Sequence, residues 1–125
     1  GALTAILSGA DYIATNPDPT FPTGKGLAPG AGAAIGAVSG CVERDPSVIV
    51  GKPHPYMIRT SLESVGSKPE DAAIIGDRAS TDIRAGNKVG LTTVLVLSGV
   101  TEEDETLENE DRPDFIIESV GELLE

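Results

Sequence analysis

Apolar positions in this chain gather into five short, nearly unbroken runs, at residues 12–14, 48–50, 73–75, 93–97 and 115–117. Continuous runs of this length, as opposed to alternating ones, predict strands covered on both faces. Segments of helical length separate them. Ile58, Leu62 and Val65 repeat on one helical face, with Pro55 placed for the first turn and Gly66 placed to end the helix. Ser80 or Thr81 is placed to cap a second helix, with Ile83 and Val89 turned inward and Gly90 closing it. Strands alternating with helices predict parallel pairing through right-handed crossovers, so the class is α/β.

Two seams interrupt this pattern. Residues 16–32 are dense in Pro and Gly, which predicts a long ordered loop entering a helix of small residues. At Gly51-Lys52-Pro53 a strand ends and the rhythm of helices and strands changes. The expected division is therefore 1–50 and 51–125. The opening run, Gly1 to Leu7, reads as entry partway along a helix, which predicts a fragment or a processed chain.

Charge narrows the partners. Twenty acids against nine bases give a formal net charge of −11. That balance repels nucleic acid and anionic membranes, and neither is expected as a partner. It also gives an anion site no long-range help, so any such site must be built locally. The acids concentrate after Thr101 and read as a solvated loop or helix face. No apolar run approaches the ~20 residues that span a bilayer. Cys41 is the one cysteine, which leaves no disulfide framework and no cysteine metal cluster; it is expected to be inert packing. A reducing, cytoplasmic setting is the expectation.

Candidate chemistry sits at two strand ends. In Ile74-Ile75-Gly76-Asp77-Arg78-Ala79-Ser80-Thr81-Asp82 an apolar strand runs into Gly-Asp, and a second aspartate follows in the first turn of a helix. Ligand sites in parallel sheets lie outside the carboxyl ends of strands. Two carboxylates there suit a hard cation such as Mg²⁺. The plainer reading makes Asp77 a turn cap and Asp82 a partner of the helix dipole. Lys52, at an earlier strand end, could neutralise a phosphoryl group in the same crevice; the plainer reading is a surface lysine in a turn. Arg78 could pair with a carboxylate near the metal or form a surface salt bridge. Asn87 could bond within the site or serve the helix end, and His54 reads as a neutral surface residue.

Taken in order, these segments resemble a known family. Lys52 and residues 76–82 are similar to the third and fourth motifs of haloacid-dehalogenase-type phosphatases. Ala14-Thr15-Asn16-Pro17-Asp18, Pro29-Gly30-Ala31-Gly32, Gly51-Lys52-Pro53-His54-Pro55-Tyr56-Met57 and Val94-Leu95-Val96-Leu97-Ser98-Gly99-Val100-Thr101 resemble the subfamily of 4-nitrophenylphosphatase-like and pyridoxal-phosphate-phosphatase-like enzymes. The resemblance implies a Mg²⁺-dependent hydrolase of small phosphorylated metabolites that works through an aspartyl-phosphate. It implies Asp77 as a Mg²⁺ ligand, Asp82 as support for the metal site, and Lys52 as the residue joining phosphate to nucleophile. Residues 1–50 would be the second half of a cap and 51–125 the second half of a Rossmann-like core. Thr20, Phe21 and Pro22 would meet the substrate. Phe21 stands where pyridoxal-phosphate-specific relatives carry a histidine.

One departure is large. The family's first motif, Asp-x-Asp-x-Thr, supplies nucleophile and general acid, and this sequence has no match to it. Asn16-Pro17-Asp18-Pro19-Thr20 imitates the spacing, but Asn16 cannot be a carboxylate nucleophile. The chain alone is therefore expected to be inactive or nearly so. The competing reading is a binding or regulatory module that keeps fold and metal site without catalysis. A response-regulator receiver fits poorly, because a receiver's lysine follows its phosphorylated aspartate whereas Lys52 precedes Asp77. An exposed edge on the strand at 73–75 predicts pairing with a second copy or with a missing N-terminal half.

Overall fold

A computed structural model describes residues 1–99, 101 and 109–124. The acidic run from Glu102 to Glu108 lies outside the described residues. The chain divides into two compact units, Gly1–Gly51 and Lys52–Glu125.

The first unit contains α1 (Ala2–Leu7), β1 (Ile13–Ala14), β2 (Thr20–Thr23), β3 (Gly26–Pro29), α2 (Ala31–Val42) and β4 (Val48–Ile49). Strands β1 and β4 pair in parallel, Ile13 opposite Val48 and Ala14 opposite Ile49. Ile6, Tyr12 and Ala14 are buried. Burying the Tyr12 ring would strand its hydroxyl unless it found a partner; it donates to the Ile35 carbonyl at 3.0 Å, which ties β1 to α2.

Two expectations change in this unit. Residues 16–32 hold an antiparallel hairpin, Thr20 opposite Pro29 and Thr23 opposite Gly26, where a continuous loop was expected. Prolines read as strand breakers because they remove a ladder donor, yet a two-stranded ribbon has only edges, where proline is tolerated. Pro22 and Pro29 both occupy such positions. Cys41, expected to be packed, is exposed, because no residue of α2 is buried.

The second unit contains α3 (Tyr56–Val65), β5 (Ala73–Gly76), α4 (Arg84–Val89), β6 (Thr92–Val96) and β7 (Phe115–Ile117). The three strands form one parallel sheet in the order β5-β6-β7. Its core is Ala79, Ile83 and Leu95, with Leu97 packed against them. Complete burial of a side chain such as Ile83 contributes about 1.5–3 kcal/mol. Buried Thr93 is fully satisfied: its hydroxyl donates to Asp114 Oδ2 at 3.1 Å and accepts the Asp114 N–H at 3.0 Å. That exchange sets the entry to β7.

Only β6 among these strands is covered as expected. Ile75 on β5 and Phe115 and Ile116 on β7 are exposed, since both strands are edges among the described residues. The face of α3 carrying Ile58, Leu62 and Val65 lines an open apolar groove of about 380 Å³, shared with Ala72, Ala73, Ile74 and Leu91. Val65 is consequently 75% exposed and not buried. Gly66 ends α3 with φ 66°, a left-handed conformation that suits glycine. Neither Ser80 nor Thr81 caps the next helix; residues Ala79–Ile83 form a π-helical turn that runs directly into α4. No helix among the described residues is long and apolar enough to cross a membrane.

Candidate active site

Parallel pairing points the carboxyl ends of β5, β6 and β7 the same way, and the candidate residues of this unit gather there. Asp77 follows β5 directly, while Gly99 and Thr101 follow β6. Lys52 approaches from the segment before α3, where the Lys52–Pro53 peptide is cis. Thirty residues apart in sequence, Lys52 and Asp82 meet as an ion pair, with the Lys52 ammonium donating to Asp82 Oδ1.

Asp82 is the buried member of that pair. Its side chain is 7% exposed against 49% for Lys52. Burial of a carboxylate requires partners for its oxygens. Oδ1 has Lys52, and Oδ2 accepts the Arg78 N–H at 3.2 Å. The side chain reaches this position only because residue 76 is glycine: a Cβ there would lie 2.3 Å from Asp82 Cβ. The Gly-Asp strand end and the aspartate five residues on are thus one packed unit.

Asp77 is different in kind. Its carboxylate takes no hydrogen bond or ion pair among the described residues. Its backbone is held, since the Thr101 N–H donates to the Asp77 carbonyl at 3.0 Å. Thr101, 4% exposed, also accepts the Ala79 N–H on its hydroxyl at 3.1 Å. Gly99 packs directly on the Asp77 side chain; a Cβ on it would lie 2.1 Å from Asp77 Cβ.

Mg²⁺ is held by one or two carboxylates together with waters and substrate phosphate oxygens. Asp77 offers one carboxylate with uncommitted oxygens, whereas those of Asp82 are engaged with Lys52 and Arg78. No group of three or more His, Cys, Asp or Glu residues that could hold a metal occurs among the described residues. The donor chemistry fits part of a magnesium site, with water, substrate or other donors completing it.

The remaining candidates lie elsewhere. His54 is exposed. Asn87 donates from Nδ2 to the carbonyls of Glu110 and Arg112 at 2.8 and 2.9 Å, which fastens that segment to α4 and leaves Asn87 outside the site. Arg84 strengthens the same attachment with two 2.6 Å bonds to Asp111. Hydrogen bonding to Asp111 is the main reason that the Arg84 guanidinium pKa is raised above its ordinary value. Thr20, Phe21 and Pro22 lie on β2 of the first unit, with all three exposed. Gly99 and Thr101 had no role assigned from sequence, because their contact with residues 77–79 spans more than twenty residues and follows no local pattern.

A family model described as HAD-hydrolase-like matches residues 49–123, and the chain belongs to that family. Within it, the chain falls in the NagD and 4-nitrophenylphosphatase subfamily. The ribonucleotide monophosphatase NagD of Escherichia coli is 41% identical over 118 residues, covering 94% of this chain and 46% of that protein. The p-nitrophenyl phosphatase of Archaeoglobus fulgidus superposes with a TM-score of 0.90 at 41% identity, over 98% of this chain and 49% of that one. A glycerol phosphate phosphatase of Mycobacterium tuberculosis, solved in complex with magnesium, superposes with a TM-score of 0.85 at 36% identity, over 92% of this chain and 35% of that one. The chain spans about half the length of the curated relatives it matches.

Proposed function

We propose that these residues form part of a magnesium-dependent phosphomonoester hydrolase acting on small phosphorylated metabolites. The observation that carries the reading is the Lys52–Asp82 ion pair packed against the strand end that presents the uncommitted Asp77 carboxylate. Related phosphatases, one of them solved with magnesium, support it.

In this reading Asp77 holds Mg²⁺, which when bound neutralises and orients the oxygens of the phosphoryl group. Lys52 directs its ammonium at the same oxygens as negative charge develops. Asp82 positions Lys52 through their shared bond, and the Arg78 N–H keeps Asp82 in place. An aspartate nucleophile and a general acid, supplied from outside these residues, complete the reaction. The nucleophile forms a bond to phosphorus as the ester P–O bond breaks and the leaving oxygen takes a proton. Water then cleaves the aspartyl-phosphate and releases inorganic phosphate. Residues 1–50 would belong to a cap, with Thr20, Phe21 and Pro22 on its substrate-facing hairpin, and residues 51–125 to the catalytic core.

The test is hydrolysis of 4-nitrophenyl phosphate by the full-length protein, with Mg²⁺, with EDTA, and with Mg²⁺ restored. Turnover that disappears with EDTA and returns with Mg²⁺ is the expected result. No turnover of this ester, nor of a panel of sugar, triose and nucleoside phosphates, would leave the non-catalytic binding module as the better account.

A further inference from the structure

We propose that Gly99 and Thr101, which follow β6, form a clasp that sets the direction of the Asp77 carboxylate as positioning residues. The inference rests on reading Asp77 as the magnesium ligand.

The Asp77 carboxylate takes no hydrogen bond or ion pair among the described residues, so no described residue bonded to its oxygens orients it. Its direction is left to the backbone beneath it and the atoms beside it, and Thr101 and Gly99 meet these in turn. The Thr101 N–H donates to the Asp77 carbonyl at 3.0 Å, and the Thr101 hydroxyl accepts the Ala79 N–H at 3.1 Å. One buried threonine thus spans the turn that begins at Asp77, bonding to that residue and to the second residue after it. Thr101 is 4% exposed, so water cannot readily replace either bond.

Gly99 supplies the wall. A Cβ at that position would stand 2.1 Å from Asp77 Cβ, 2.6 Å from its Cγ and 2.3 Å from its Oδ2. Real Cβ atoms essentially never approach a non-bonded heavy atom within 3.0 Å, so something must move. The Thr101 bond to the Asp77 carbonyl resists a retreat of Asp77 Cβ. The carboxylate must therefore rotate, or the clasp must open. Mg²⁺ demands near-ideal octahedral geometry, so a displaced carboxylate loses affinity for it. A carboxylate oriented by packing and by its backbone keeps its oxygens free of committed hydrogen bonds among the described residues. A carboxylate oriented by a hydrogen bond to one oxygen would not.

The experiment measures Mg²⁺ affinity of the full-length protein by titration calorimetry, together with Tm, for Asp77→Asn, Gly99→Ala, Thr101→Val, Thr101→Ser and Thr93→Val. Residues outside the first coordination shell typically change metal affinity by about 10–100-fold when lost. Gly99→Ala and Thr101→Val are expected to weaken Mg²⁺ binding by at least about 10-fold. Thr101→Ser, which keeps the acceptor oxygen, should restore affinity to near the parent value. Thr93→Val removes another buried threonine of the same sheet, at the entry to β7. It should lower Tm and leave Mg²⁺ affinity unchanged. If Asp77→Asn abolishes binding while Gly99→Ala and Thr101→Val bind like the parent, the clasp is wrong and the magnesium reading stands. Equal weakening by Thr93→Val and Thr101→Val would also overturn the clasp, by tracing the effect to general instability. If Asp77→Asn binds Mg²⁺ like the parent, both ideas fall. Should Gly99→Ala not fold, the Thr101→Val and Thr101→Ser pair decides the matter alone.

Discussion

Replacing Asp77 with alanine in the full-length protein is expected to lower magnesium-dependent phosphomonoester hydrolysis by at least about 10²–10³-fold, the loss typical of removing one electrostatic stabiliser from an active site. The expectation follows from the contrast between the two aspartates of the strand end. Asp82 has spent its oxygens on Lys52 and the Arg78 N–H. Asp77 has no such bond among the described residues, and its backbone is independently held by the Thr101 N–H. Alanine would therefore remove a charge without removing a structural bond, and Tm should hold within a few degrees. Steady-state rates across a Mg²⁺ series check this. An Asp77→Ala protein within 10-fold of the parent at saturating Mg²⁺, roughly 1.4 kcal/mol of transition-state stabilisation, would take Asp77 out of the chemistry.

Lys52→Met should be nearly as damaging to activity, by about 10²-fold or more, because it removes the one ammonium aimed at the phosphoryl position in this reading. It also leaves the buried Asp82 carboxylate without its cation. Half of the Lys52 side chain is exposed, so solvent screens the pair, and the stability cost should stay near ~1 kcal/mol. A second change separates the two effects. Asp82→Asn in the Lys52→Met background removes the unpaired charge while its amide oxygen can still accept the Arg78 N–H. The double variant should recover most of the lost Tm and none of the lost activity, measured by thermal melts and 4-nitrophenyl phosphate turnover. Recovery of activity as well would mean that Lys52 acts only through the fold.

The α/β class was legible because the apolar runs are unbroken, and all five of them form strands. The run containing Val94 and Leu95 is the clearest case: β6 is flanked by strands on both sides and is covered throughout its apolar length. The covering of β5 and β7 was overestimated for the same reason. An apolar run records a need for burial, and Ile75 and Phe115 lie on strands that are edges among the described residues. The hairpin at 20–29 was illegible because Pro22 and Pro29 signal a loop, and only the pairing register shows them at tolerated edge positions. At the candidate site, Lys52, Asp77 and Asp82 stood out through residue type and spacing at strand ends. Gly99 and Thr101 lay in a family-like segment but drew no role, since their contacts depend on where the residues after one strand fall against the end of its neighbour. No periodicity encodes a missing Cβ facing an aspartate at the end of the neighbouring strand.

The most direct measurement is a crystal structure of the full-length protein with Mg²⁺ and vanadate, which mimics a phosphoryl group in transfer. The account predicts the metal on an Asp77 carboxylate oxygen and the Lys52 ammonium on a vanadate oxygen, with Asp82 still holding Lys52. Metal bound away from Asp77, or vanadate seated beyond the reach of Lys52, would contradict it.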